Sequence, residues 1–193
     1  MERIRSFIAV ELPDELKRKL NQLETELRRG EPPRVKWVSP DSIHLTLKFL
    51  GNITSDTVAA VIRAMEKSAL GITPFHLRAK EMGVFPNPKR VQVVWVGING
   101  DVDKLRELQK RLDFNLAPLG FTPESRPFTP HLTLARLNNR AAPDERQRLG
   151  KLIASTKFEN GSIEVATISL MKSQLTRAGA IYSRIGLVKL KRE

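Results

Sequence analysis

His44-Leu45-Thr46-Leu47 reads HLTL, and His131-Leu132-Thr133-Leu134 repeats it 87 residues later. The chain has three histidines, and two of them head these copies. Laying the sequence over itself at that offset pairs far more than four letters, so the repeat comes before any other reading of the fold. SFIAVEL, from Ser6, falls opposite VVWVGIN, from Val93, and both runs of apolar and β-branched residues read as strands. Helical patterns follow: Pro13 precedes Leu16, Leu20 and Leu23 in the first copy, and Leu105, Leu108 and Leu112 keep similar spacing in the second. After HLTL come the loops GNITSD and NNRAAPD, second helices over 58–69 and 144–154, and strands over 75–82 and 162–171. The order β-α-β-α-β thus appears twice, over about 4–86 and 91–172, and 180–190 adds a closing strand. The expected fold is α+β, with two lobes related by a pseudo-twofold axis. Mainly antiparallel sheets with flanking helices would enclose a cleft, all within one bilobal domain over 1–193.

Side chains alternate along a strand, so His44 and Thr46 face one way and Leu45 and Leu47 the other. The second tetrapeptide does the same, and a pseudo-twofold brings two imidazoles and two hydroxyls toward one cleft. One HLTL on a half-exposed strand is ordinary. Two copies carry more, because packing preserves leucines but gives no reason to keep His and Thr where the loops have diverged as far as GNITSD and NNRAAPD. His76, within FHLRAK, has no threonine two residues on and no histidine at the offset, so it reads as a structural strand residue.

Composition narrows the chemistry. There is no cysteine, which excludes a disulfide framework, a thiolate zinc site and a cysteine nucleophile. Two imidazoles, with no carboxylate in either tetrapeptide, make a poor zinc set, so no metal is expected. The start, MERIRSFIAVELPDE, has too short an apolar stretch for a secretory signal, and no run approaches a membrane span. A cytoplasmic protein is expected, with the sequons at Asn52 and Asn160 coincidental. Lys and Arg number 33 against 21 acids, a net charge of +12 that favours a polyanion such as RNA or DNA. Some of that excess sits in the tail Lys189-Leu190-Lys191-Arg192, where it could simply be solvated.

In this order and spacing RSFIAVELPDE, HLTLKFLGN, GVFPNPKRVQVVWVGI, RPFTPHLTLARL and SQLTRAGAIYSRIG carry a resemblance. They resemble the RNA 2′,3′-cyclic phosphodiesterases, also called the 2′-5′ RNA ligase family, of the 2H phosphoesterase superfamily. The resemblance covers nearly the whole chain. It implies a bilobal fold with a basic cleft, no metal and no cofactor, hydrolysing 2′,3′-cyclic phosphates at RNA ends or on nucleosides; a monomer with no obligate protein partner is expected. It further implies His44 as the proton donor and His131 as the proton acceptor, two roles that the pseudo-twofold leaves interchangeable. Thr46 and Thr133 would hold nonbridging oxygens. For the phosphate-binding cation two candidates stand: Lys48 shares the parity of His44 and Thr46, while the resemblance favours Arg136, which strict alternation puts on the leucine face unless the strand bulges. Ser173 and Tyr182 are candidates for the cleft lining, and Phe7 either stacks on a base or belongs to the core. The other reading open at this point is a basic RNA-binding protein without turnover.

Overall fold

The computed structural model describes residues 3–30, 34–176 and 179–191. Arg192 of the basic tail, Arg177 and Ala178 of SQLTRAGAIY, and the side chain of Asn160 lie outside the described residues. The first copy supplies β1 (Arg3–Glu11), α1 (Asp14–Arg28), β2 (Val35–Trp37), β3 (His44–Thr54), α2 (Ser55–Ala69) and β4 (Phe75–Phe85). The second supplies β5 (Val93–Gly100), α3 (Val102–Leu116), β6 (His131–Leu137), α4 (Pro143–Ser155), β7 (Glu159–Val165) and β8 (Thr167–Thr176), and β9 (Gly179–Lys189) closes the chain.

The described strands form one antiparallel sheet in the order β7-β4-β5-β6-β3-β1-β8-β9, with β2 on the free edge of β6. Read from either end the order is symmetric about the β6–β3 junction, where Leu45 pairs with Leu132. The pseudo-twofold expected from the repeat passes between those leucines. Two strands cross over: β4 of the first copy lies beside β5, and β8 of the second lies beside β1. Each half of the sheet is therefore built from both copies, which ties the lobes together.

Helices cover one face. Leu16, Leu20, Leu105, Leu108, Leu112 and Leu149 from α1, α3 and α4 join Leu45, Leu47, Leu132 and Leu134 in one buried core. Burying a leucine is worth about 1.5–3 kcal/mol, so this shared core holds the HLTL strands rigidly and leaves their His and Thr on the uncovered face. Helix α1 starts after Pro13 with Asp14 and Glu15 in its first turn, where carboxylates suit the helix dipole, and Arg28 near its end lies over the Trp37 ring.

Two expectations are corrected. GNITSD is not a loop: β3 runs on to Thr54, with Gly51 at φ 69° accommodating a register shift opposite β1. The stretch 162–171 is not one strand. It divides at Ala166 into β7 and β8, which lie in opposite halves of the sheet. Burial alternates up to Val165, then Ala166 and Thr167 are both half-buried and Ile168 to Met171 are all buried, while no glycine or proline marks the point where the chain changes lobes.

Glu24 is the odd residue of the core. It is 1% exposed, neither carboxylate oxygen accepts a hydrogen bond, and the closest cation is Arg28 Nη2 at 3.7 Å. Burial pushes its pKa up to about 7, opposed in part by Arg28. Because the folded value lies above the ordinary 4.5, folding favours the protonated acid, and stability is lost as pH rises from about 4.5 through 7. Glu24→Gln is expected to raise stability at pH 8 by about 2–3 kcal/mol and to change little below pH 4.5, measured by urea unfolding at both pH values.

Candidate active site

The functional strands cross at the middle of the sheet. From Leu45↔Leu132, one step each way sets His44 level with Thr133 and Thr46 level with His131. Diagonal neighbours in an antiparallel pair lie on the order of 7–8 Å apart, a gap that suits a phosphate between two imidazoles. All four residues are half-buried on the uncovered face. Among the described residues neither threonine hydroxyl has a hydrogen-bond partner, so both are available to an oxygen-rich ligand.

A bulge in each strand decides which cation joins them. On β3, Ile8 pairs with Lys48 and Ala9 with Thr46, leaving Leu47 as an extra residue. Parity reverses there: Lys48 turns to the helix-covered side and Phe49 to the histidine side. Lys48 is 3% exposed, its ammonium 2.7 Å from Asp113 Oδ1 and 2.6 Å from the Thr122 carbonyl oxygen. The alternation argument for Lys48 in the cleft is corrected by that bulge. On β6 the same irregularity falls at Leu134, with Val94 opposite Ala135 and Trp95 opposite Thr133. It turns Arg136, exposed and without an ion pair among the described residues, onto the face of His131 and Thr133.

Around His44 the site is aromatic. The Phe7 ring stacks on the imidazole at 4.4 Å, and Tyr182 meets both rings edge-on, at 5.0 Å from His44 and 5.1 Å from Phe7. Phe7 is 3% exposed, packed with Ala9, Met171 and Tyr182, so it holds His44 rather than offering an open platform for a base. Ser173 pairs with Tyr182 and sits beside this cluster, not against either histidine. Glu11 pairs directly with His44, accepts a hydrogen bond from Ser169 and is 3.1 Å from Arg184 Nη1. Around His131 the partners differ: Nδ1 lies 2.7 Å from the Thr129 carbonyl oxygen, Phe85 meets the ring edge-on at 5.1 Å, and Gly97 occupies the paired position that Glu11 occupies for His44. His76 is elsewhere, exposed on β4, its backbone N–H donating to Asp101 Oδ2 at 3.1 Å.

Burial lowers the pKa of both histidines. His44 falls to about 4, against smaller upward pulls from a backbone hydrogen bond at Ser42 and from Glu11. His131 is also lowered, with Thr129 pulling up and Arg136 pushing further down. Both imidazoles are neutral at pH 7 in the free protein, so each can accept a proton, and an anion between them would raise both. Among the described residues no three His, Asp or Glu side chains gather as a metal would require, and no helix is long and apolar enough to cross a membrane.

Sequence reading missed Phe49, which is 63% exposed at the position matching Arg136, with its ring 6.3 Å from Phe7. It also missed Trp95 and Glu11. Trp95 lies flat over Gly83, where an added Cβ would fall 2.1 Å from the indole. The pairing of Glu11 with His44 depends on which strands lie side by side, which the repeat did not specify.

Known proteins share this architecture. The chain is 33% identical over 189 residues to an RNA 2′,3′-cyclic phosphodiesterase of Methanothermobacter thermautotrophicus, covering 97% of this chain and 100% of that one. It is 38% identical over 157 residues to one of Aeropyrum pernix, covering 80% and 86%. A solved protein of Thermus thermophilus superposes with a TM-score of 0.81 at 25% identity over 98% of this chain and 100% of that chain. Escherichia coli LigT, crystallised with 3′-AMP, gives 0.77 at 25% identity over 98% and 99%. The sequence profile described as LigT like Phosphoesterase matches twice, over 10–95 and 96–182, once for each copy of the repeat. With two profile matches spanning most of its length and both histidine motifs meeting at the centre of one sheet, this chain belongs to the LigT-like phosphoesterase family.

Proposed function

We infer that this protein hydrolyses RNA or nucleotide 2′,3′-cyclic phosphates to 2′-phosphomonoesters, using His44 as general acid and His131 as general base. The observation that carries the reading is the pair of His/Thr rows flanking Leu45↔Leu132, with both hydroxyls unengaged among the described residues. The relatives named as RNA 2′,3′-cyclic phosphodiesterases, and the 3′-AMP bound by LigT, support the substrate class.

His131 takes a proton from water, whose oxygen attacks phosphorus. The P–O3′ bond breaks, His44 gives its proton to O3′, and the phosphate stays on O2′. Thr46, Thr133 and Arg136 hold the nonbridging oxygens where charge accumulates. The strained ring supplies the driving force, so neither metal, cofactor nor ATP is called for. With an RNA 5′-hydroxyl in place of water, the same path forms a 2′-5′ linkage and frees the 3′-hydroxyl. The protein would work as a cytoplasmic monomer with no obligate protein partner.

The assignment of roles draws on an asymmetry. Glu11 faces His44 and favours its imidazolium, while Arg136 disfavours a proton on His131. Burial acts against this order in the free protein, where His44 has the value of about 4, and the bound phosphate anion must raise it. The kcat/KM profile is therefore expected to be a bell on the acid side of 6.5, and the kcat profile to lie at higher pH. Glu11→Gln removes a group that favours protonated His44, so the limb of each profile that reports His44 should move to lower pH. An unmoved limb would take Glu11 out of the mechanism. A substrate whose leaving oxygen needs no protonation should rescue His44→Ala and not His131→Ala; the opposite rescue exchanges acid and base.

A further inference from the structure

Two cations face each other beside this site with no acid between them. Lys36 and Arg136 are Cα partners across β2 and β6, so their side chains project to the same side. That side is the histidine face, because the flanking Val35 and Trp37 pack into the core while Lys36 and Arg136 are exposed. Like charges directly opposed in a strand pair are unfavourable. Arg34 is matched with Glu145 and Arg184 with Glu11, but among the described residues neither Lys36 nor Arg136 has a side-chain partner.

Their place along the strands gives the pair a use. Strand β3 pairs with β6 at Leu132, and β2 takes over the same edge from Ala135 to Leu137. Moving along β6, the His44/Thr133 row is followed by the bulge and then by the Lys36/Arg136 row, about 7 Å further on at the usual rise per strand residue. His44 protonates O3′ in the proposed reaction, so the ribose carrying the cyclic phosphate lies on this side, and its RNA chain leaves from the same ribose. The pseudo-twofold counterpart of Arg136 is the uncharged Phe49, so the other end of the site offers no such pair.

We propose that Lys36 forms a second phosphate subsite, holding the RNA phosphodiester next to the reacting cyclic phosphate, with Arg136 between the two phosphates. The inference rests on the cyclic phosphodiesterase reading and makes an RNA end, rather than a free nucleotide, the substrate to which the cleft is fitted.

The test is binding of a fluorescent single-stranded oligoribonucleotide ending in a 2′-phosphate, titrated against the full chain at several salt concentrations. Lys36→Gln is expected to weaken binding about tenfold and to reduce the slope of log affinity against log salt by roughly 0.7, the value for one phosphate on a single strand, while Lys36→Arg restores both. A Lys36→Gln protein with unchanged affinity and slope overturns the subsite. Weakened binding of a nucleoside 2′-monophosphate to the same extent overturns it too, since the lysine would then be touching the reacting phosphate. Hydrolysis of a nucleoside 2′,3′-cyclic phosphate by the unsubstituted protein, followed alongside, tests the activity separately and does not enter the binding result.

Discussion

His44→Ala and His131→Ala each lower kcat/KM for a nucleoside 2′,3′-cyclic phosphate by roughly 10²-fold to 10⁴-fold, about 3–5 kcal/mol of transition-state stabilisation. The size follows from the geometry. Each imidazole is held by packing, His44 between Phe7 and Tyr182 and His131 against Phe85 and the Thr129 carbonyl, so a proton donor or acceptor is pre-positioned and water cannot easily take its place. Thr46→Ala and Thr133→Ala should be milder, each removing one hydrogen bond to phosphate. His76→Ala should change the rate less than twofold, because it sits on the far part of β4 with only a backbone tie to Asp101. Melting temperatures measured on the same variants separate lost chemistry from lost folding. Equal losses at His44, His131 and His76, with folding intact, would break the symmetry argument that singles out the two motif histidines.

The second large effect falls on stability. Lys48→Ala is expected to cost about 3–5 kcal/mol, because it strands the Asp113 carboxylate beside Gln109 without its cation and frees the Thr122 carbonyl. Catalysis per folded molecule should be nearly unchanged. Replacing both members, as Lys48→Met with Asp113→Leu, should recover most of the loss, since a buried ion pair and an apolar pair of similar volume are often close in stability. Urea unfolding of the three proteins measures this directly. If Lys48→Ala instead leaves stability intact and raises KM for the cyclic substrate, the lysine faces the cleft and the bulge at Leu47 has been misread.

Lys48 also marks where sequence reading reaches its limit. The repeat, most of the element order and the convergence of two His/Thr strands on one cleft follow from local pattern, because period-2 alternation and leucine spacing report which face meets the core. A bulge adds one residue and inverts every later side chain, and no glycine or proline announces it in LTLKF or LTLAR. Strict alternation therefore put Lys48 in the cleft and Arg136 on the leucine side, and the paired bulges exchange them. The division of 162–171 at Ala166 was hidden for a similar reason, since no glycine or proline stands where the chain passes from one half of the sheet to the other. The aromatic setting of His44 depends on β9 arriving three strands away from β3, a long-range fact that spacing alone does not carry. Glu11 was out of reach for the same reason, because its place opposite His44 follows from β1 lying beside β3, which element order does not fix.

Phosphorus NMR of the product formed from a nucleoside 2′,3′-cyclic phosphate tests the two-histidine account most directly. Attack from the His131 side with departure of O3′ toward His44 predicts a 2′-phosphomonoester alone, formed by the unsubstituted protein and nearly absent with His44→Ala or His131→Ala. Unconverted cyclic phosphate, or the same product at the same rate from both histidine variants, would contradict it.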